Sequence, residues 1–133
     1  MRTLGAEGPM ADEERIQSFA EFWPYYIGEH RDPTCRGLHY FGTGMAVAAA
    51  GSAVAFGNPW LILLGFVLGY GPAWVAHFFI EHNKPATFKY PLWSLASDFK
   101  MLFYFLTGRI GAEVERLYGS RAPAKDAPLR ARV

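Results

Sequence analysis

The apolar and polar positions of this chain sort into one long unbroken block and several short periodic segments. Between Gly37 and Ile80 lie 44 residues without a formally charged side chain. The block divides at Gly57-Asn58-Pro59, a helix-stop and turn signal. Each half is close to the roughly 20 residues that an α-helix needs to cross a bilayer core. The pattern therefore predicts a two-helix transmembrane hairpin. In the first half, Gly42, Gly44, Ala48, Gly51 and Ser52 would permit close packing against a neighbour. The second half is more strongly apolar, and its interior Pro72 removes a backbone hydrogen bond and predicts a kink.

The flanks are amphipathic. In residues 12–30, Ile16, Phe19, Trp23, Tyr26 and His30 recur at helical spacing and mark one face. Ser18 and Glu21 frame a capping box, while Pro24 predicts either a kink or the start of a second helical piece. Asp32-Pro33 is a break. After the hairpin, Asn83-Lys84-Pro85 ends the second span, and Pro91-Leu92-Trp93 opens an apolar segment that runs to Thr107-Gly108. That segment carries Asp98 and Lys100, and about 16 residues of helix reach only about 24 Å. It reads as an interfacial or partly inserted helix. Ile110, Val114, Leu117 and Tyr118 mark a short amphipathic helix closed by Gly119. From Ser120 the chain is rich in Ala, Pro and basic residues, the composition of a disordered tail. The expected fold is all-α, an integral membrane helical bundle. Residues 1–119 form a single membrane-embedded helical domain, and residues 120–133 form the tail.

Charge and composition narrow the functional classes. The 133 residues suit one domain, and 13 Lys plus Arg against 12 Asp plus Glu leave a net charge of +1, which gives no electrostatic case for nucleic acid. One cysteine excludes a disulfide framework and any multi-cysteine metal site. Arg31, Arg36, Lys84 and Lys89 flank the open ends of the hairpin, whereas its turn carries no positive charge. The positive-inside rule then puts both termini in the cytoplasm.

The candidate chemistry lies in four histidines. His39 is 19 residues before Asn58 and His77 is 19 residues after it. On a hairpin, both sit about 28 Å from the turn, at equal depth near the cytoplasmic edge. His30 is one short connection before the first span, and His82 is just beyond His77. Glu81 follows His77 by four residues, on the same side of the helix. Imidazoles with one carboxylate suit Zn, Fe, Cu or Ni better than Mg or Ca. Each residue also has a plainer reading. His39 can anchor the interface beside Tyr40, His30 can end a helix, His82 can be solvated beside Asn83 and Lys84, and Glu81 can pair with Lys84. Ser94, Asp98 and Met101 share a helical face that can meet the cluster, and Cys35 reads as a bystander.

Two stretches resemble a known family. The first is Phe22-Trp23-Pro24-Tyr25-Tyr26 with His30, eight intervening residues, His39 and Gly42. The second is Trp74, His77, Glu81 and Pro85-Ala86. Together with Asn83-Lys84-Pro85-Ala86-Thr87-Phe88, Tyr90 through Leu95, Asp98 and Met101, they resemble a small membrane-protein family, in its bacterial branch. Its yeast-type (Mpo-type) member is an iron(II)-dependent 2-hydroxy fatty acid dioxygenase. The resemblance spans roughly residues 19–108 and implies the reaction in which O2 and Fe2+ convert a 2-hydroxy fatty acid to a fatty acid one carbon shorter plus CO2. His30, His39 and His77 are then the expected metal ligands, with His82 as an optional fourth. Glu81 is a further ligand or the group that orients His77. Arg36 and Lys84 are candidates to balance the substrate carboxylate. The family motif does not call for histidine at position 82, which sets His82 apart. The implied partners are the 2-hydroxy fatty acid, O2 and the lipid bilayer, in a bacterial inner membrane with the histidine cluster cytoplasmic. Two rival readings stand beside this one: a haem- or metal-binding membrane protein, with His39 and His77 as paired axial ligands, and a non-catalytic lipid-binding protein.

Overall fold

The computed structural model describes residues 15–130, and among them every regular element is helical. Helix α1 spans Phe19–Gly28, α2 spans Pro33–Phe56 and α3 spans Trp60–Val75. A π-helical turn, Ala76–Glu81, prolongs α3, and a 3-10 turn, Ala86–Phe88, leads to α4 (Pro91–Leu106) and α5 (Ile110–Tyr118). Residues 12–14 of the first expected helix lie outside the described residues. Its remainder starts where capping chemistry puts it: Ser18 is extended, and its hydroxyl accepts from the Glu21 amide at 3.2 Å. Pro24 lies inside a single helix, so no second piece begins there.

The boundaries of the hairpin have equally local causes. Asp32 caps α2 by accepting from the Thr34 amide at 2.7 Å, and Pro33 occupies the first turn, where its missing N–H is harmless. At the other end Gly57 takes the left-handed conformation (φ 63°), and Asn58 N–H reaches back to Ala53 O at 3.0 Å. This is a Schellman stop. Helices α2 and α3 then pack antiparallel along a seam of small residues. A Cβ on Gly42 would meet Gly69 O at 2.7 Å, and one on Gly65 would meet Ala46 O at 3.3 Å. Gly44 and Gly51, also expected at this seam, have nothing within 4 Å. Positions 42, 46, 49 and 53 share one helical stripe, and 44 and 51 fall outside it.

Among the described residues, one helical stretch of 22 residues, Trp60–Glu81, is long and apolar enough to cross a membrane, with a mean hydropathy of 1.6 over its most apolar 18 residues. The sequence predicts a second span in the first arm. Its 24 residues suffice in length, but Arg36, His39 and many Gly, Ala, Ser and Thr residues keep α2 less apolar. The outer surface of both arms is nonetheless bare hydrocarbon: Val54 is 83% exposed and Trp60 is 74% exposed. One face of α4 continues that surface through Leu92, Phe103 and Leu106.

Helices α1 and α5 and the inner face of α4 build a different kind of region. Phe22, Trp23, Tyr26, Ile27, Tyr90, Met101, Val114 and Leu117 form a buried core, each large apolar side chain contributing about 1.5–3 kcal/mol. Trp23 Nε1 donates to Glu113 of α5 at 2.8 Å, and Tyr118 Oη donates to Pro24 O at 2.7 Å. Residues 120–130, expected to be a disordered tail, are tied to this cap and to the start of α2. Arg36 donates to Arg121 O at 2.8 Å, Arg31 to Ala127 O at 3.0 Å, and Arg130 N–H to Leu117 O at 2.7 Å. The seam between cap and hairpin holds the histidines.

Candidate metal centre

Three elements deliver three imidazoles to one point. His30 follows the end of α1, His39 lies in the second turn of α2, and His77 lies in the π turn beyond α3. All three are buried. The Nε2 atoms of His39 and His77 each lie 3.1 Å from His30 Nε2, and the three donor atoms fall within 4.8 Å of one another.

Their tautomers follow from what the other ring nitrogens touch. His30 Nδ1 lies 2.6 Å from Tyr26 O, and His39 Nδ1 lies 2.8 Å from Cys35 O. Both partners are backbone carbonyls and only accept, so each Nδ1 carries the proton. His77 Nδ1 lies 2.7 Å from Asn83 Oδ1, and Asn83 Nδ2 donates to Glu29 O at 3.2 Å. That second bond fixes which end of the amide faces His77. All three rings therefore turn an unprotonated Nε2, with its lone pair, toward the others. Facing lone pairs repel at 3.1 Å and are relieved by a cation between them. Burial, then the neighbouring His39 and His77, hold the His30 imidazole well below its ordinary pKa of 6.5, which keeps it neutral and free to donate. The arrangement fits a metal ion. Three neutral nitrogen donors suit Zn, Fe, Cu or Ni and leave coordination positions open for other ligands.

The π turn explains His77. Its six residues Ala76–Glu81 end on His82, whose φ of 60° and ψ of 42° are left-handed, and Asn83 N–H then closes onto His77 O at 2.9 Å. The reversal returns the Asn83 side chain to the ring six residues behind it. π turns interrupt α-helices frequently at functional sites. Tyr26 completes the wall, stacked on the His30 ring with centroids 4.0 Å apart.

The remaining sequence candidates lie elsewhere. His82 is exposed and serves as the turn residue, outside the group of converging donors. Glu81 is buried, but its Oε2 accepts from the Asp32 amide at 2.6 Å, where it helps start α2. The contact to His77 Nδ1 expected of Glu81 is made by Asn83. Arg36 is buried with its guanidinium on the carbonyls of His30, Arg31 and Arg121, a brace for the chain around His30. Lys84 is exposed. Asn83 is the residue that sequence reasoning misses. It reads as a helix stop, and only the π turn brings it back to His77.

Two cavities meet at the centre. A pocket of about 20 Å³ is lined by the three histidines together with Tyr26, Ser94 and Asp98. It has room for one water-sized molecule, and no opening the size of a porphyrin separates His39 from His77, whose ring centroids are 4.9 Å apart. Beside it runs an apolar groove of about 260 Å³ between the hairpin and α4, walled by Ala46, Val47, Phe66, Leu95 and Phe99. Tyr70 and Asp98 line both spaces. Asp98 accepts a hydrogen bond from Tyr26 Oη, yet burial outweighs that bond and pushes its carboxyl up to about 7.

Comparison with known proteins gives one family. The family model described as 2-hydroxy-palmitic acid dioxygenase Mpo1-like matches residues 16–110, the stretch that contains all three converging histidines. No curated protein and no solved structure matches the chain.

Proposed function

The chain belongs to the Mpo1-like family, and from that premise we propose that it is an iron(II)-dependent dioxygenase of 2-hydroxy fatty acids, with His30, His39 and His77 as the metal ligands. The observation that carries the proposal is the junction of the three inward-facing Nε2 atoms with an apolar groove. A long-chain 2-hydroxy acid has that same division: a chelating head and a hydrocarbon chain. The reaction balances without an outside reductant, since R-CH(OH)-COOH and O2 give R-COOH, CO2 and H2O.

The chemistry that iron(II) supplies in such a site is activation of O2 and oxidation of the 2-hydroxy acid. The chain's own residues do the rest. The carbonyls of Tyr26 and Cys35 and the amide of Asn83 hold the three rings in the donating tautomer. The groove walls on α2, α3 and α4 take the acyl chain and line it up with the pocket. The small pocket beside the histidines leaves bulk water little space at the metal. Glu81 supports the site indirectly by anchoring the start of α2.

The reading places the hairpin in a bacterial inner membrane, with both arms inserted and the histidines at the cytoplasmic side. It is supported by the large apolar side chains left exposed along α2, α3 and α4, the kind of surface that marks a protein or membrane contact, and by the charges at the open ends. Cysteines at Asn58 and Asp32 should label from opposite sides of the membrane; labelling from the same side contradicts the inserted hairpin.

The test of activity is anaerobic purification in detergent, metal analysis, and O2 uptake with 2-hydroxypalmitate. We expect iron-dependent uptake with equimolar release of CO2 and of the acid one carbon shorter. An iron-loaded protein that consumes no O2 with this substrate contradicts the proposal, and a strong Soret band would restore haem binding.

A further inference from the structure

Ser94 and Asp98 stand one turn apart on α4, and both line the histidine pocket. Ser94 is only 4% exposed, and its Oγ has no hydrogen-bond partner. A buried hydroxyl left unpaired costs about 1–3 kcal/mol. Native proteins keep few such orphans, and one that lines a site calls for a missing ligand or water. The Ser97 hydroxyl is orphaned as well, but Ser97 lines neither the histidine pocket nor the groove. Asp98 lines both spaces, and its carboxylate takes the hydrogen bond from Tyr26 on Oδ1, which leaves Oδ2 to accept another. A molecule whose chain lies in the groove must therefore present the first carbons of its head to this pair.

We propose that Ser94 and Asp98 are specificity-determining residues that read the 2-hydroxyl group of the substrate. The inference rests on the functional reading above and deepens it. A hydroxyl is both donor and acceptor. Its proton suits the second oxygen of Asp98, and its lone pairs suit the Ser94 O–H, which ends the orphan state of Oγ. An unsubstituted fatty acid brings a CH2 to the same place and leaves both side chains unpaired in a dry pocket. Sites built to bond a hydroxyl reject the analogue lacking it for this reason. With a cation held among the three Nε2 atoms, the substrate carboxylate is directed toward that cation. No bond is made or broken in this step; it is recognition only.

The test uses detergent-purified protein loaded with Zn2+, so that chelation contributes alike to wild type and variants and no O2 chemistry intervenes. Wild type, Ser94→Ala and Asp98→Asn are each titrated with 2-hydroxypalmitate and with palmitate by calorimetry. Asp98→Asn keeps an oxygen for Tyr26 but turns the other acceptor into a donor. Ser94→Ala deletes an unpaired group, so its thermal midpoint should hold or rise. Wild type should prefer the 2-hydroxy acid by roughly tenfold or more, and each variant should lose most of that ratio while palmitate binding stays within about twofold. Variants that keep the wild-type ratio, or that weaken both ligands in step, overturn the inference. Equal binding of both acids by wild type overturns it too, but leaves the functional reading standing; binding of neither acid removes that reading first. Should Asp98→Asn fail to fold, the ratio in Ser94→Ala decides alone.

Discussion

The cap and the hairpin have similarly apolar side chains and opposite ways of keeping them from water. In the cap, Phe22 is 0% exposed, wedged between Tyr90 and Trp93 with ring centroids at 5.2 and 5.6 Å. On the hairpin, Phe56 is 78% exposed. The cap makes a protein core from short helices with polar outer faces. The hairpin leaves its large side chains outside and packs its backbones through glycine and alanine. Large-inside and small-inside are the arrangements suited to water and to lipid respectively. Each region contributes to the metal centre, with His30 from the cap and His39 and His77 from the hairpin, so that a bound ion would clasp the two together.

The comparison breaks most completely if that clasp is removed. His30→Ala, His39→Ala and His77→Ala should each reduce metal content to background in the folded protein, checked by elemental analysis after gel filtration. If one variant keeps full metal, its ring is not a ligand. Because the His30 pKa lies below its ordinary 6.5, protons compete for this ring only at lower pH. Metal should therefore stay bound as pH falls through 6.5, measured by dialysis at stepped pH.

Next in size is a contrast of two phenylalanines. Phe22→Ala should destabilise the detergent-solubilised protein by about 3–5 kcal/mol. Phe56→Ala should change stability by no more than about 0.5 kcal/mol. Thermal or denaturant unfolding in one detergent checks both, and equal losses would mean that the hairpin surface is covered by protein.

The smallest effect separates two neighbours of His77. Asn83→Ala should weaken metal binding by about 10–100-fold, since it frees the ring to turn and to change tautomer. Glu81→Gln should keep metal affinity near wild type and lower stability instead, through the weakened contact to the Asp32 amide. A competitive chelator titration measures the first and thermal unfolding the second. The reverse result would give Glu81 the role assigned here to Asn83.

Several of these features are legible in the amino-acid sequence itself. The helix starts at Ser18 and at Asp32-Pro33 and the stop at Gly57-Asn58 are local, each written in a capping side chain or a left-handed glycine. The equal spacing of His39 and His77 about Asn58 carries enough geometry to put both rings at one depth. What the sequence hides is non-local or irregular. A regular helix through position 81 leaves Asn83 pointing onward, and only the π turn reverses it. The seam stripe falls on Gly42 and Gly65, because composition names small residues but not the face that meets a partner. The tail reads as disordered because its side-chain anchors, Arg31 and Arg36, lie some 85 residues or more away in sequence.

Everything proposed for the site depends on the three Nε2 atoms holding one metal ion. X-ray absorption on the iron-loaded protein reports the number and kind of atoms around that metal. The expected spectrum has nitrogen and oxygen neighbours at roughly 2.0–2.2 Å, with outer-shell scattering from three imidazole rings and no sulfur. A first shell that contains the Cys35 sulfur, or scattering that fits one ring or none, would overturn the three-histidine site.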